Sequence, residues 1–186
     1  MFRASEKWVA IAALALIAGL DARAADPIDN QKLLGRRLSA QEVAAADITV
    51  FPDGAGLPAG RATAREGRGV YNERCAACHG LKGQGTNDFP ELAGGVGSLT
   101  GSRPLLTVGS YWPYATTLWD YTRRAMPYQR PGSLTPNEVY AVTAYVLHLN
   151  GIVAEDFVLD QSTLQGVRMP NRDGFISDPR SNRSGR

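Results

Sequence analysis

The stretch "RCAACHGLKGQG", Arg74 to Gly85, contains both cysteines of the chain and one of its two histidines. Two cysteines three positions apart, followed at once by a histidine, form the C-x-x-C-H signature of covalent c-type haem attachment. Residues three and four positions apart share one face of a helical turn. Cys75 and Cys78 are therefore expected to form thioethers to one haem, while His79 directs its imidazole at the iron.

Other chemistries use paired cysteines, and the sequence favours none of them. A thioredoxin-like redox pair needs a strand that leads into the motif, and no strand or βαβ pattern precedes Cys75. A zinc site needs further Cys or His ligands, and only His148 remains outside the motif. A disulfide between Cys75 and Cys78 closes a very small loop, which constrains the unfolded chain little.

The second axial ligand of the iron must come from elsewhere in the chain. Methionine is the usual partner of histidine in electron-carrying cytochromes, because its thioether raises the reduction potential. Apart from the initiator, the candidates are Met126 in "RRAMPY" and Met169 in "VRMPNR". Met126 is favoured, since it lies in a predicted loop where Pro127 stiffens the approach, whereas Met169 lies in the tail. His148 is the least favoured, because it sits beside an apolar stripe near a helix end.

Residues outside the motif are candidates for the surroundings of the haem. A ligating histidine usually donates its other N–H to a carbonyl, and Pro90 in "FPEL" is placed to offer one; a plain turn residue is the alternative. The aromatic residues between Tyr111 and Trp119 are suited to wall the haem edge or to bond a propionate. Arg103 is a candidate to pair with a propionate, and a surface position is the simpler alternative.

The first 24 residues have the pattern of a secretory signal peptide. Arg3 and Lys7 precede the apolar run "WVAIAALALIAGL", and "ARA" at residues 22–24 offers the small residues that signal peptidase requires. Cleavage after Ala24 predicts a periplasmic or otherwise exported protein that is not membrane-bound. A retained N-terminal anchor is the alternative interpretation.

Beyond the leader, the pattern predicts an all-α protein without a strand-rich region. Residues 25–61 are rich in Pro and Gly and are predicted to form an extended N-terminal arm, with a short helix capped at Ser39. Residues 62–151 are predicted to form one helical domain, whose clearest helix begins at Thr135. Residues 152–186 are predicted to form a polar C-terminal tail extended over the surface.

Composition excludes one class of partner. The formal net charge is +2, and the arginines are scattered along the chain. No basic block or aromatic-interleaved patch is present, so we expect no nucleic-acid partner.

Four short motifs follow one another between about Ala64 and Leu149: "GRGVY", "PEL", "AMP" and "AYVLHL". In this order around the cysteines they resemble a class I cytochrome c. The resemblance implies a single domain of that fold, with Met126 as the axial methionine. It also implies that the first and last helices cross closely, which brings Gly67 or Gly69 against Tyr145. Such a contact would explain glycines that lower helix propensity by about 1 kcal/mol each.

Three longer stretches resemble a narrower group. They are "DITVFPDGAGLPAGRATAREG", "VGSYWPYATTLWDYTRRAMPYQRPGSLTPNEVYAVTAYVLHLNGIV" and "MPNRDGF". These stretches look like the cytochrome subunits of bacterial sulfur-compound dehydrogenases, which are the haem partners of molybdenum-cofactor sulfite dehydrogenase and sulfane dehydrogenase. The chain departs from the sulfane dehydrogenase cytochrome, which typically has two haem domains, in having a single C-x-x-C-H.

The resemblance implies an electron carrier rather than an enzyme. A periplasmic cytochrome with one covalent haem c would accept electrons from the molybdenum-cofactor subunit and pass them to a downstream cytochrome acceptor. A freestanding periplasmic shuttle is one alternative. A haem peroxidase or ligand sensor is a less favoured one, because it needs an open distal position on the iron.

Overall fold

The computed structural model describes residues 35–178 and 180. The expected signal peptide, residues 1–24, and the first part of the expected arm lie outside these residues. In chain order the elements are helix α1 Ala40–Ala46, strand β1 Arg61–Thr63, helix α2 Ala64–Arg74, helix α3 Ala76–His79, a 3-10 helix Ser98–Thr100, helix α4 Ala115–Ala125, helix α5 Pro136–Leu149, strand β2 Val158–Asp160 and helix α6 Gln161–Leu164. Within the described ranges, none of the helices has the length and apolar character needed to span a membrane.

The chain divides into two compact units. The first ends at Asp47, and its described part contains α1. Helix α1 begins as predicted at Ser39, whose hydroxyl accepts a bond from the backbone N–H of Glu42 while the Glu42 carboxylate accepts one from the backbone N–H of Ser39. The second unit begins at Ile48 and contains the remaining elements.

Two of the longer helices start at the same kind of cap. Helix α5 begins at Thr135, with Pro136 in its first turn, and the carboxylate of Glu138 accepts a bond from the backbone N–H of Thr135 over 2.8 Å. This start confirms the prediction. Thr63 caps α2 in the same way. Each cap satisfies donors at the helix start that have no partner inside the helix.

Helix α5 forms the centre of the core. Nine consecutive residues, Val139 to Leu147, are buried. Helix α2 packs on one part of its surface and α4 on another. The fully buried ring of Trp119 in α4 lies 5.4 Å from the ring of Tyr140. Burial on all sides identifies α5 as a core helix rather than an amphipathic surface helix.

A two-stranded antiparallel sheet links the start of α2 to the chain beyond α5. Ala62 of β1 is paired with Leu159 of β2, and both are buried. The sequence pattern did not predict these strands, because each has only three residues and its partner lies far away in the sequence. The sheet supplements an otherwise helical fold.

The segment that follows β2 corrects the prediction of a polar surface tail. Leu164 and Met169 are almost completely buried and belong to the core. Polar residues separate them without a helical or alternating period, so the pattern of the sequence concealed their burial. Here "strap" denotes residues 158–169, which close one side of the core.

The last part of the expected arm also lies against the helices. The backbone N–H of Val50 donates to the carboxylate of Asp120 over 2.9 Å. The carbonyl of Pro58 accepts a bond from the Tyr140 hydroxyl over 3.0 Å. Backbone groups of this segment therefore find partners on side chains of α4 and α5.

The crossing of α2 and α5 depends on Gly67. A Cβ atom on Gly67 would lie 1.9 Å from the carbonyl oxygen of Ala141 and 3.0 Å from the Cβ of Tyr145. A Cβ on Gly69 would meet no atom within 4 Å. Of the two glycines that the resemblance implicated, Gly67 is the one at the contact.

We expect Gly67→Ala to lower the free energy of unfolding by about 3 kcal/mol, because the helices must separate to admit the methyl group. The matched control is Gly69→Ala, which we expect to raise it by about 0.5–1 kcal/mol, because alanine favours the helix. Chemical denaturation of the two variants tests this. Equal effects of the two substitutions would contradict the close crossing.

Candidate haem site

The predicted haem motif lies on a single helical turn that follows α2. Cys75 has φ −125° and ψ −35°, which ends α2 and separates it from α3. The backbone N–H groups of Cys78 and His79 both donate to the carbonyl of Cys75, over 3.2 and 3.0 Å. The stretch therefore consists of two helices joined at Cys75. Because Cys75 is not helical, α3 does not continue the axis of α2.

The structure brings the predicted site residues together around one cavity. The cavity has a volume of about 330 Å³. It is lined by the residues predicted to tether the haem, to bind its iron or to orient His79, which are Cys75, Cys78, His79, Pro90 and Met126. Further walls are mainly apolar, and they include Leu92, Val108, Trp112, Leu118, Val142 and Val146. Two thiols, an imidazole and a thioether around an apolar hollow are the donor set and surroundings that fit a haem c.

The imidazole of His79 is oriented by the loop after the motif. Its Nδ1 lies 3.0 Å from the carbonyl oxygen of Pro90. A carbonyl oxygen only accepts hydrogen bonds, so Nδ1 carries the proton in this contact. In the neutral imidazole with this tautomer, the lone pair that can bind a metal lies on the other ring nitrogen, Nε2. The contact predicted for Pro90 is present.

Tyr71 braces the end of the turn that carries His79. It is fully buried, and its hydroxyl donates to the carbonyl of Gly80 over 2.9 Å. Burial raises the pKa of Tyr71 above its ordinary value, so the hydroxyl keeps its proton. The sequence pattern did not single out Tyr71, which is the last residue of the motif "GRGVY". Its position four residues before Cys75, on the same helix face, was the available signal.

The two cysteines are free and half-buried. Burial, with a smaller contribution from Cys78, raises the pKa of the Cys75 thiol to about 11. Cys75 is therefore uncharged near neutral pH. No group of three or more His, Cys, Asp or Glu side chains suited to a metal ion occurs in the described part of the chain, so the zinc alternative finds no support there.

The remaining candidate ligands lie away from the cavity. Met169 is only 1% exposed, and it packs in the core without lining the cavity. The Nδ1 of His148 lies 3.1 Å from the carbonyl of Val153, where the ring ties the end of α5 to the next turn. Met126 is therefore the candidate that the structure places at the cavity.

Of the aromatic and arginine candidates, some line the cavity and others lie elsewhere. Trp112 lines the cavity, whereas Tyr114 stacks under the guanidinium of Arg172, 4.3 Å from its ring centre. Trp119 is buried in the core, and its Nε1 has no hydrogen-bond partner among the described residues. Arg103 is exposed and does not line the cavity, so the surface alternative holds for it.

Comparison with known proteins agrees with this geometry. The family model "Cytochrome c" matches residues 64–150. The chain is 42% identical to a chain in the crystal structure of the sulfane dehydrogenase SoxCD from Paracoccus pantotrophus. That match has a TM-score of 0.74 and covers 81% of this chain and 74% of the other.

Two curated relatives share a shorter region. The Cbb3-type cytochrome c oxidase subunit CcoP of Azospirillum sp. (strain B510) is 36% identical over 95 residues, which are 48% of this chain and 31% of the relative. The subunit of the same name from Azospirillum brasilense is 33% identical over 88 residues, or 45% of this chain and 30% of the relative. The chain thus spans about a third of the length of the curated relatives it matches.

We expect Tyr71→Phe to lower the free energy of unfolding by about 1 kcal/mol, because the Gly80 carbonyl loses its hydroxyl partner. The matched control is Tyr140→Phe, which removes a bond of similar length to Pro58 and should cost a similar amount. Amide hydrogen exchange separates the two variants. Only Tyr71→Phe should speed exchange at His79 and Gly80, and equal exchange in both would refute a local brace.

Proposed function

The chain belongs to the cytochrome c family, and on that premise we propose that it is the electron-transfer subunit of a periplasmic molybdenum-cofactor dehydrogenase for sulfite or sulfane sulfur. The subunit takes electrons one at a time from its catalytic partner and passes them to a downstream cytochrome. The observation that carries this proposal is the joint placement of Cys75, Cys78, His79 and Met126 around one apolar cavity. The similarity to the SoxCD chain over most of this chain supports the choice of partner.

In this proposal four described residues would hold the haem. Cys75 and Cys78 would tether it through thioethers, and His79 and Met126 would bind the iron. Bound haem supplies a reversible one-electron iron couple. Pro90 fixes the ring of His79, which leaves Nε2 for the iron. Because the chain itself would supply two iron ligands, no position would be left for a substrate, which argues against the peroxidase and sensor alternatives.

The position of Met126 follows from the end of α4. Its backbone N–H donates to the carbonyl of Thr122 over 3.1 Å, and its extended backbone leaves the helix at this point. Pro127, which also lines the cavity, prevents continuation of the helix. The carbonyl of Pro127 accepts a bond from the backbone N–H of Arg130 over 2.8 Å, so the loop that presents the thioether is itself tied down.

The rim of the cavity supports electron exchange with another protein. Four large hydrophobic side chains line the cavity and are nevertheless exposed: Phe89, Leu106, Tyr121 and Tyr128. Tyr128 is 73% exposed. Exposed apolar side chains around one cavity are typical of an interaction site, and electron transfer needs a partner close to the haem edge.

The test of this function is reduction by the partner. With the purified molybdenum-cofactor dehydrogenase and its sulfur substrate, we expect Tyr128→Ser to lower kcat/KM for reduction of the cytochrome about tenfold, because a contact at the mouth is lost. Ile176→Ser, at a side chain that is 92% exposed and does not line the cavity, serves as the control. Reduction by dithionite should stay unchanged in both. Equally fast reduction of the unaltered protein by unrelated dehydrogenases would favour the freestanding shuttle instead.

Two methionine substitutions test the axial ligand. Met126→Ala should abolish the weak near-infrared sulfur-to-iron band and allow cyanide or carbon monoxide to bind, because one axial position opens. Met169→Ala should keep the band but lower the free energy of unfolding by about 2–5 kcal/mol, because it leaves a cavity in the core. The reverse spectroscopic result would show that Met169 is the ligand.

A further inference from the structure

The end of α5 is hydrogen-bonded to the loop that contains Pro90. Asn150, the residue at the C-terminal end of that helix, lies partly buried and uses both ends of its side-chain amide. Its Oδ1 accepts a bond from the backbone N–H of Gly94 over 3.1 Å. Its Nδ2 donates to the carbonyls of Leu92 and Val146, over 3.0 and 2.9 Å. One side chain thus joins the helix end to two points of the loop.

Further bonds hold the same part of the loop from other sides. The backbone N–H groups of Leu92 and Ala93 both donate to the carbonyl of Gly83, over 2.8 and 3.0 Å. The hydroxyl of the buried Thr107 donates to the carbonyl of Gly94 over 2.6 Å. Residues 92–94 are therefore bonded to Asn150, Gly83 and Thr107, and Pro90 lies only two residues before Leu92.

The amide of Asn150 has little freedom to turn. A Cβ on Gly109 would lie 2.2 Å from Asn150 Oδ1, so the backbone of Gly109 packs directly on the amide. Rotation of the amide by half a turn would place its N–H groups toward the N–H of Gly94 and its oxygen toward two carbonyls. That arrangement has no acceptor for any of these donors, so one orientation is strongly preferred.

We infer that Asn150 is a positioning residue for the haem iron, acting through Leu92 and the Pro90 carbonyl on the imidazole of His79. The inference rests on the proposed role of His79 as an iron ligand. A strong bond from Nδ1–H to a carbonyl makes the imidazole a more basic ligand, which favours ferric iron. Loss of Asn150 removes two of the bonds that hold residues 92–94. We expect the remaining bonds to let Leu92 shift, so that the bond to Pro90 weakens and the reduction potential rises.

The test compares Asn150→Ala and Asn150→Asp with a control on the same helix. Asn150→Asp keeps the acceptor for Gly94 but loses both N–H donors, and it carries the test if the alanine variant does not mature. The control is Asn137→Ala, since Asn137 accepts a bond from the backbone N–H of Arg61 over 3.0 Å at the opposite end of α5. All variants are prepared as holoprotein.

The first readout is the rate at which the Nδ1 proton of the iron-bound histidine exchanges with solvent, measured by proton NMR. We expect exchange about tenfold faster in both Asn150 variants than in the unaltered protein or Asn137→Ala, because the bond to Pro90 is weaker. The second readout is the midpoint potential, which should rise in the Asn150 variants alone. Unchanged exchange and potential would overturn the inference, even if stability falls. If the unaltered holoprotein shows no resonance from an iron-bound His79, the ligand role itself fails and takes this inference with it.

Discussion

The close crossing of α2 over α5 at Gly67 is the constraint on which the site depends. The carbonyl of Ala141 occupies the space that any Cβ at position 67 would need. Because the backbones approach so closely, the far end of α2 carries Tyr71 and Cys75 to the side of α5 where Val142 lines the cavity. The distance between two helices thus sets the width of one part of the cavity.

Another wall of the cavity, which includes Pro90, Leu92 and Val108, is built with few regular elements. Between the end of α3 and the start of α4 the chain forms only a short 3-10 helix, so its backbone groups need partners outside helices and strands. Side chains supply many of them: Tyr71 binds the Gly80 carbonyl, Asn150 binds two points of the loop, and Thr107 binds Gly94. Two of these side chains, Tyr71 and Asn150, belong to α2 and to the end of α5, so hydrogen bonds from the helices stabilise this wall.

Features that depend on residues close together in the sequence could be predicted, whereas contacts between distant segments could not. The C-x-x-C-H motif, the cap at Thr135 and the carbonyl of Pro90 each depend on short spacing that a pattern can show. The hydrogen bonds of the Asn150 side chain to Leu92 and Gly94 join segments far apart in the chain. In the sequence, a single asparagine after a helix cannot be distinguished from an ordinary helix cap. The burial of Met169 was concealed because the segment around it is polar and has no regular period. Of the two methionine candidates the sequence favoured Met126, and Met126 is the one that lines the cavity.

Because the strap supplies core residues, the core can be completed only after the strap has been synthesised. β1 precedes the haem motif, yet its partner β2 follows α5, and Leu159, Leu164 and Met169 fill the core from beyond the matched region of residues 64–150. A polypeptide still growing at position 150 has made every group around the cavity but lacks these side chains. The native interior is completed only when the last part of the strap has been synthesised, so a fragment cut at the family boundary would be left with an open, water-accessible flank.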